Sequence, residues 1–187
     1  MIRPWQKKST EKLACYPVFD LRRDIMTSPR TGFDLPVYIL ETRNWVNIVP
    51  LTSDNQVVMV RQYRFASEEV TLEIPGGLID ANDGSMAEAA RRELREETGY
   101  DSDRIHPLGA CRPNPAIMTN LCYMFLAENV EKKFVQELDA GEDIQVELIP
   151  LDEISALISK GVIQHSLVLN AFYLLDIFRK SRPDGGA

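Results

Sequence analysis

Apolar stretches of four to eight residues, set between polar or glycine- and proline-bearing breaks, dominate the first half of the chain and predict strands. They fall at 33–40, 45–51, 57–60 and 70–74. Ser53-Asp54-Asn55-Gln56 separates the second from the third in a hairpin-like arrangement, and Pro75-Gly76-Gly77 stops the fourth. The period then changes. Ala87, Ala90 and Leu94 recur at spacings of three and four, which is a helical stripe, and its small alanines allow close approach to a sheet. Ser85 and Glu88 form a capping-box pattern at the start of this helix, and Gly99 is a suitable residue just past its end. Further strands are predicted at 121–127 and 144–148, then helices at about 153–160, closed by Gly161, and about 166–180, with 182–187 expected to fray. This order lacks the regular strand–helix alternation of a doubly wound fold, so the pattern predicts a mixed-sheet α/β or α+β domain.

Composition narrows the class. The 187 residues suit one domain with a small extension, and 44% hydrophobic with 26% charged residues is ordinary globular usage. Twenty-one Lys and Arg against 28 Asp and Glu leave a net charge of −7, the wrong sign for a general nucleic-acid binder. An anionic substrate would need local arginines or divalent cations held by the surplus carboxylates. Cys15, Cys111 and Cys122 have no C-x-x-C spacing, and His106 and His165 lie too far apart for a local zinc motif, so the thiols read as structural. No apolar run approaches 18 residues, and no apolar signal region follows the basic residues of the first ten positions. The expected setting is the cytoplasm, with neither membrane nor nucleic acid as partner.

Candidate chemistry sits at 92–100, Arg-Glu-Leu-Arg-Glu-Glu-Thr-Gly-Tyr. On a helix Glu93, Glu96 and Glu97 stand at i, i+3 and i+4, three carboxylates on one face. Such a face is either solvated and laced with ion pairs such as Glu88 to Arg92 and Arg92 to Glu96, or built to hold cations. The preceding Pro75-Gly76-Gly77 offers backbone carbonyls beside it, and carboxylate with carbonyl oxygen is the donor set that Mg²⁺ prefers. Neither a P-loop nor a dinucleotide fingerprint is present in the sequence.

These residues carry a family resemblance. The segment 77–100 resembles the Nudix hydrolase signature, G-x5-E-x7-R-E-U-x-E-E-x-G-U with U bulky and apolar. Here Gly77 to Arg92 is one residue longer than that spacing. The first Glu of the box falls on Asp83 counted from the front and on Gly84 counted from the back. The resemblance implies a mixed β-sheet sandwiched between helices and a hydrolase using Mg²⁺, or Mn²⁺, with two or more ions. It implies metal ligation by Gly76, Glu93, Glu96 and Glu97, with Arg92 orienting the carboxylates and Glu96 as a ligand or supporting group. Outside the box, Val60-Arg61-Gln62-Tyr63-Arg64 and Leu72-Glu73-Ile74-Pro75-Gly76-Gly77 resemble segments of the ADP-ribose and nucleotide-sugar pyrophosphatase branch. That likeness implies substrate contacts from Arg61, Arg64 and Glu73, although either arginine could instead pair with Glu68 or Glu69.

In the same branch an acidic loop supplies the water-activating carboxylate, and Glu142 within 139–143 matches it, with a solvated turn as the alternative. Residues 113–120 resemble a segment of a related, largely bacterial subgroup and read as a stiff loop. Residues 1–45 resemble a strand-bearing extension that forms homodimers, leaving 46–181 as the hydrolase domain and 182–187 as a tail. Trp5, Phe19, Phe33 and Tyr38 would supply apolar interface contacts or belong to the core. The implied activity is cleavage of a nucleoside diphosphate derivative, of ADP-ribose or nucleotide-sugar type, to a nucleoside monophosphate and a phosphorylated product. Two alternatives stand beside it: a ligand-binding domain without turnover, and a hydrolase of dinucleoside polyphosphates or capped RNA ends. The three intact helix glutamates favour an enzyme.

Overall fold

The computed structural model describes residues 1–182, so most of the segment expected to fray lies outside the described residues. The chain divides into two compact units, Met1–Asn44 with Arg112–Leu121, and Trp45–Cys111 with Cys122 onward.

The first unit is a three-stranded antiparallel sheet of β1 (Gln6–Cys15), β2 (Asp20–Thr27) and β3 (Asp34–Glu41) in that order. β1 carries almost no apolar alternation, and it escapes a hydrophobic-pattern reading for that reason. Charge complementarity accompanies the pairing: Lys12 meets Asp20 at 2.7 Å, and buried Asp24 accepts the Thr10 hydroxyl at 2.8 Å. The segment 112–121 joins β3 through a parallel bridge between Leu40 and Met118. Trp5, Phe33 and Tyr38 are exposed, so they are not core residues. Phe19 is half-buried against Tyr16.

The second unit contains β4 (Trp45–Leu51), β5 (Gln56–Arg64), β6 (Glu69–Glu73), β7 (Gly76–Leu78), α1 (Met86–Thr98), β8 (Tyr100–Asp101), β9 (Ile105–Cys111), β10 (Cys122–Glu128), β11 (Glu131–Lys132), β12 (Ile144–Pro150), α2 (Ile154–Ser159) and α3 (Ser166–Lys180). The main sheet runs β12-β5-β4-β10-β9, with β6 on β5 and β7 on β4. β4 and β10 pair in parallel and the other neighbours antiparallel, which makes the sheet mixed. Alternation builds two cores. Val46, Ile48, Val58, Phe125 and Ala127 pack with Ala89, Ala90 and Leu94 of α1. Val49, Val57, Met59, Met124 and Leu126 pack on the other face with Leu167, Val168 and Ala171 of α3. The expected fold class, a mixed sheet between helices with a β-rich N-terminal extension, is the one observed.

Several elements of this unit depart from the sequence reading, among them β7, β9 and α2. β7 forms where Pro75-Gly76-Gly77 signals only a stop, because two glycines let the chain lie close against Val46 and Asn47 of β4. β9 contains Pro107 and Gly109, which an edge strand with a register shift tolerates. The helix expected at 153–160 is a 3-10 turn, Leu151–Glu153, followed by the shorter α2.

Candidate active site

Helix α1 starts where Ser85 Oγ accepts the Glu88 N–H at 3.1 Å, and it ends at Gly99, whose left-handed backbone (φ 75°) returns its N–H to the Arg95 carbonyl. The buried face of the helix carries Glu93 and Glu97, only 8% and 3% exposed, as well as alanine and leucine. The glycine strand makes room for them. A Cβ on Gly77 would sit 2.7 Å from Glu93 Oε1, and the Gly76 N–H donates to Glu97 Oε2 at 3.1 Å.

Burial pushes the Glu93 carboxyl up to about 7, with Arg92 opposing and Glu96 and Glu142 adding repulsion. Glu97 is held well above the ordinary carboxyl range by burial first and then by the Glu93 charge, against the Gly76 N–H. Two buried carboxyls that would repel each other when ionised each resist losing a proton.

Arg92 is the nearest compensation. Its Nη1 donates to Glu93 Oε1 at 2.9 Å and Glu96 Oε2 at 2.8 Å, while Nη2 reaches the Leu78 carbonyl at 3.0 Å. On its other edge Asp83 accepts Nε at 3.0 Å and Nη2 at 3.1 Å. The guanidinium thus makes the Arg92 to Glu96 ion pair that the sequence offered and adds a second to Glu93. The extra residue before α1 is also resolved in space: Asp83, counted from Gly77, hydrogen-bonds Arg92 and accepts the Asp80 N–H at 2.8 Å, while the Asp80 carboxylate lies 3.8 Å from Arg92 Nη2. Arg92 and the Asp80 N–H together hold Asp83 below its ordinary range.

Among the described residues no three His, Cys, Asp or Glu side chains already converge as a metal cage. The donor chemistry nevertheless fits a hard divalent cation. Glu93 and Glu97 are buried oxygen ligands, Glu96 is adjacent and half exposed, and the Gly76 backbone lies against Glu97. Ligation would require Glu93 and Glu96 to turn from Arg92, which Asp83 and the Leu78 carbonyl would continue to hold.

Beside the glycine strand lies a cleft of about 360 Å³, lined by Trp45, Asn47, Arg64, Glu73, Gly76 and Gly77 among others. Arg64 grips Glu73 at two points, Nε to Oε1 at 2.8 Å and Nη2 to Oε2 at 2.7 Å. Thr71 adds a hydroxyl at 2.6 Å, and His165 Nδ1 lies 2.9 Å from Oε2. Burial alone would raise the Glu73 carboxyl; Arg64, His165 and Thr71 outweigh it and keep the group ionised. Arg61 instead pairs with Glu147 of β12 at 2.6 Å and does not line this cleft. Neither arginine takes Glu68 or Glu69, which correct the pairing weighed from sequence.

Glu142 lies on an exposed loop, with Oε2 accepting the Asp139 N–H at 3.0 Å. Its charge adds a small upward push to the Glu93 and Glu97 carboxyls. Gln136 anchors the start of this loop. Its amide donates to the Glu97 carbonyl at 2.7 Å and the Ile144 carbonyl at 3.2 Å, tying the end of α1 to the start of β12. Sequence reasoning missed Gln136 and His165. A histidine at the first position of a helix, where Ser, Asp or Asn is preferred, was the one available signal.

A NUDIX domain model matches residues 41–172. The chain is 29% identical over 133 residues, 71% of each protein, to a methanol dehydrogenase activator of Bacillus methanolicus. It is 27% identical over 135 residues, again 71% of each, to an ADP-ribose pyrophosphatase of Bacillus subtilis. A GDP-mannose pyrophosphatase of Yersinia pestis is 32% identical over 116 residues, 58% of each. The crystal structure of an ADP compounds hydrolase aligns over 97% of both chains with a TM-score of 0.86 at 22% identity, which shows a shared fold.

Proposed function

We propose that this chain, which belongs to the NUDIX family, is a pyrophosphohydrolase of ADP-ribose or nucleotide-sugar type that releases a nucleoside monophosphate and a phosphorylated product. The observation that carries this reading is the pair of buried, mutually repelling carboxyls, Glu93 and Glu97, beside a cleft that also holds Arg64. The ADP-ribose and GDP-mannose pyrophosphatases among the relatives support the same class.

NUDIX hydrolases generally use divalent metal ions, and we take Mg²⁺, with Mn²⁺ as a substitute and two or more ions, as the set here. Glu93, Glu97, Glu96 and the Gly76 carbonyl would hold them. When bound, such ions neutralise diphosphate charge and lower the pKa of a bound water. Arg92 keeps the carboxylates in register, and Arg64, itself fixed by Glu73, grips a phosphate oxygen. Arg61 would have to leave Glu147 to reach a phosphate. Glu142 takes the proton of the attacking water as its oxygen bonds to phosphorus and the phosphoanhydride P–O bond breaks. The loop position of Glu142 suits a base that moves in with substrate.

The same reading makes residues 1–45 the dimer-forming extension, supported by exposed Trp5, Phe33 and Tyr38, with 46–181 as the catalytic domain. A cytoplasmic setting is supported by three free cysteines. The deciding experiment assays ADP-ribose, ADP-glucose, GDP-mannose, NADH and diadenosine polyphosphates with and without Mg²⁺. Mg²⁺-dependent release of nucleoside monophosphate from the first three is expected. Turnover of none of them overturns the reading, and turnover of diadenosine polyphosphates alone moves it to that class.

A further inference from the structure

His165 stands at the start of α3, and its side chain makes no capping hydrogen bond to the helix. Helix stability therefore does not account for its orientation. Its Nδ1 is buried and lies 2.9 Å from Glu73 Oε2. The side chain as a whole remains 35% exposed and lines the cleft shared with Arg64, Gly76 and Gly77. With Nδ1 hidden against Glu73, the open edge of the ring is the one that carries Nε2.

The chemistry follows from the partner. A carboxylate beside Nδ1 favours the proton on that nitrogen, and the tautomer that carries it there turns a lone pair outward at Nε2. Glu73 thus fixes two different groups in one cleft, a guanidinium that donates and an imidazole that accepts. A phosphate oxygen suits Arg64, and in that tautomer it meets only a lone pair at Nε2. A hydroxyl suits Nε2. The sugars that flank a diphosphate supply hydroxyls next to the phosphates.

We propose that His165 is a specificity-determining residue whose Nε2 accepts a hydrogen bond from a hydroxyl of a sugar flanking the diphosphate, while Arg64 holds the adjoining phosphate. This rests on the pyrophosphohydrolase reading above. The nucleoside ribose and the linked sugar are two sources of the same hydroxyl chemistry, and the test separates them.

His165→Ala and His165→Asn are compared with the unchanged protein on the best of the three sugar substrates, on the methyl ester of the same nucleoside diphosphate, and on the 2′,3′-dideoxynucleoside form of that substrate. His165→Ala is expected to raise KM about five- to tenfold on the full substrate with kcat within twofold, the loss of about one hydrogen bond. His165→Asn, which retains an acceptor, recovers most of it. Disappearance of the KM effect with the methyl ester assigns the linked sugar, and disappearance with the dideoxy form assigns the nucleoside ribose. A KM effect that is equal on all three substrates, or absent on the full substrate, overturns the proposal while leaving the reaction class standing. If the unchanged protein turns over no sugar substrate, the reaction class fails and this proposal falls with it. Should His165→Ala fail to fold, a KM for His165→Gln that rises equally on all three substrates overturns it in the same way.

Discussion

The Gly76 N–H donates to Glu97 Oε2 at 3.1 Å, so a carboxyl that is only 3% exposed is pinned to the backbone of the glycine strand. Gln at position 97 keeps an oxygen to accept that N–H but removes the charge. Glu97→Gln is therefore expected to fold with equal or greater stability, because the cost of ionising a buried and repelled carboxyl is gone, while kcat falls on the order of 10²–10³-fold. Thermal melts read the first effect and Mg²⁺-dependent turnover the second. Millimolar Mg²⁺ or Mn²⁺ should raise the melting temperature of the unchanged protein and leave that of Glu97→Gln nearly unmoved. Equal stabilisation of both would remove Glu97 from the metal site.

Asp83 holds the Arg92 edge opposite Glu93 and Glu96. Without it the Leu78 carbonyl at 3.0 Å and the more distant Asp80 carboxylate at 3.8 Å are left to hold the guanidinium off the acidic face. Asp83→Asn should weaken apparent metal affinity about 10- to 100-fold, as expected for a group that orients ligands from behind. Titrating activity against Mg²⁺ checks this, with saturating metal restoring most of kcat. An unchanged metal requirement would show that the loop alone holds Arg92.

Glu142 should matter to rate and little to metal binding, because the loop that carries it is exposed. Glu142→Gln is expected to lower kcat by about 10²–10⁴-fold with a near-normal Mg²⁺ requirement. Gln136→Ala, which frees the same loop from the Glu97 and Ile144 carbonyls, should give a smaller loss of kcat. A Glu142→Gln enzyme of normal rate moves the base elsewhere.

Stability should depend on pH through Asp101, far from the acidic face in role. Arg91 grips it at two points, 2.6 and 2.9 Å, and Arg95 adds a third contact at 2.9 Å. Burial alone would raise the carboxyl, and Arg91 and Arg95 outweigh it and hold it well below its ordinary range. A depressed folded-state pKa stabilises above the unfolded value of about 3.9 and loses that contribution as pH falls through the folded value. Asp101→Asn should thus cost about 1.5–3 kcal/mol at pH 7, a difference that shrinks below about pH 4. Urea unfolding at the two pH values reads it, and a constant difference would refute the ion-pair account.

Sequence alone determined the secondary elements whose period is written locally: α1 between Ser85 and Gly99, and the buried strands of the second unit. It also determined that Glu93, Glu96 and Glu97 share a helix face, because a spacing of three and four fixes direction whatever the surroundings. Tertiary structure decided what that face does. It buried Glu93 and Glu97 against glycines of another strand, chose Asp83 as the partner of Arg92, sent Arg61 to Glu147, and brought His165 to Glu73 across 92 positions of chain. β1 shows the same limit within the fold itself, since its polar residues acquire meaning only opposite β2. Period and caps are short-range properties of one segment, whereas burial, charge pairing and the shape of a cleft belong to surfaces that meet only when the chain has folded.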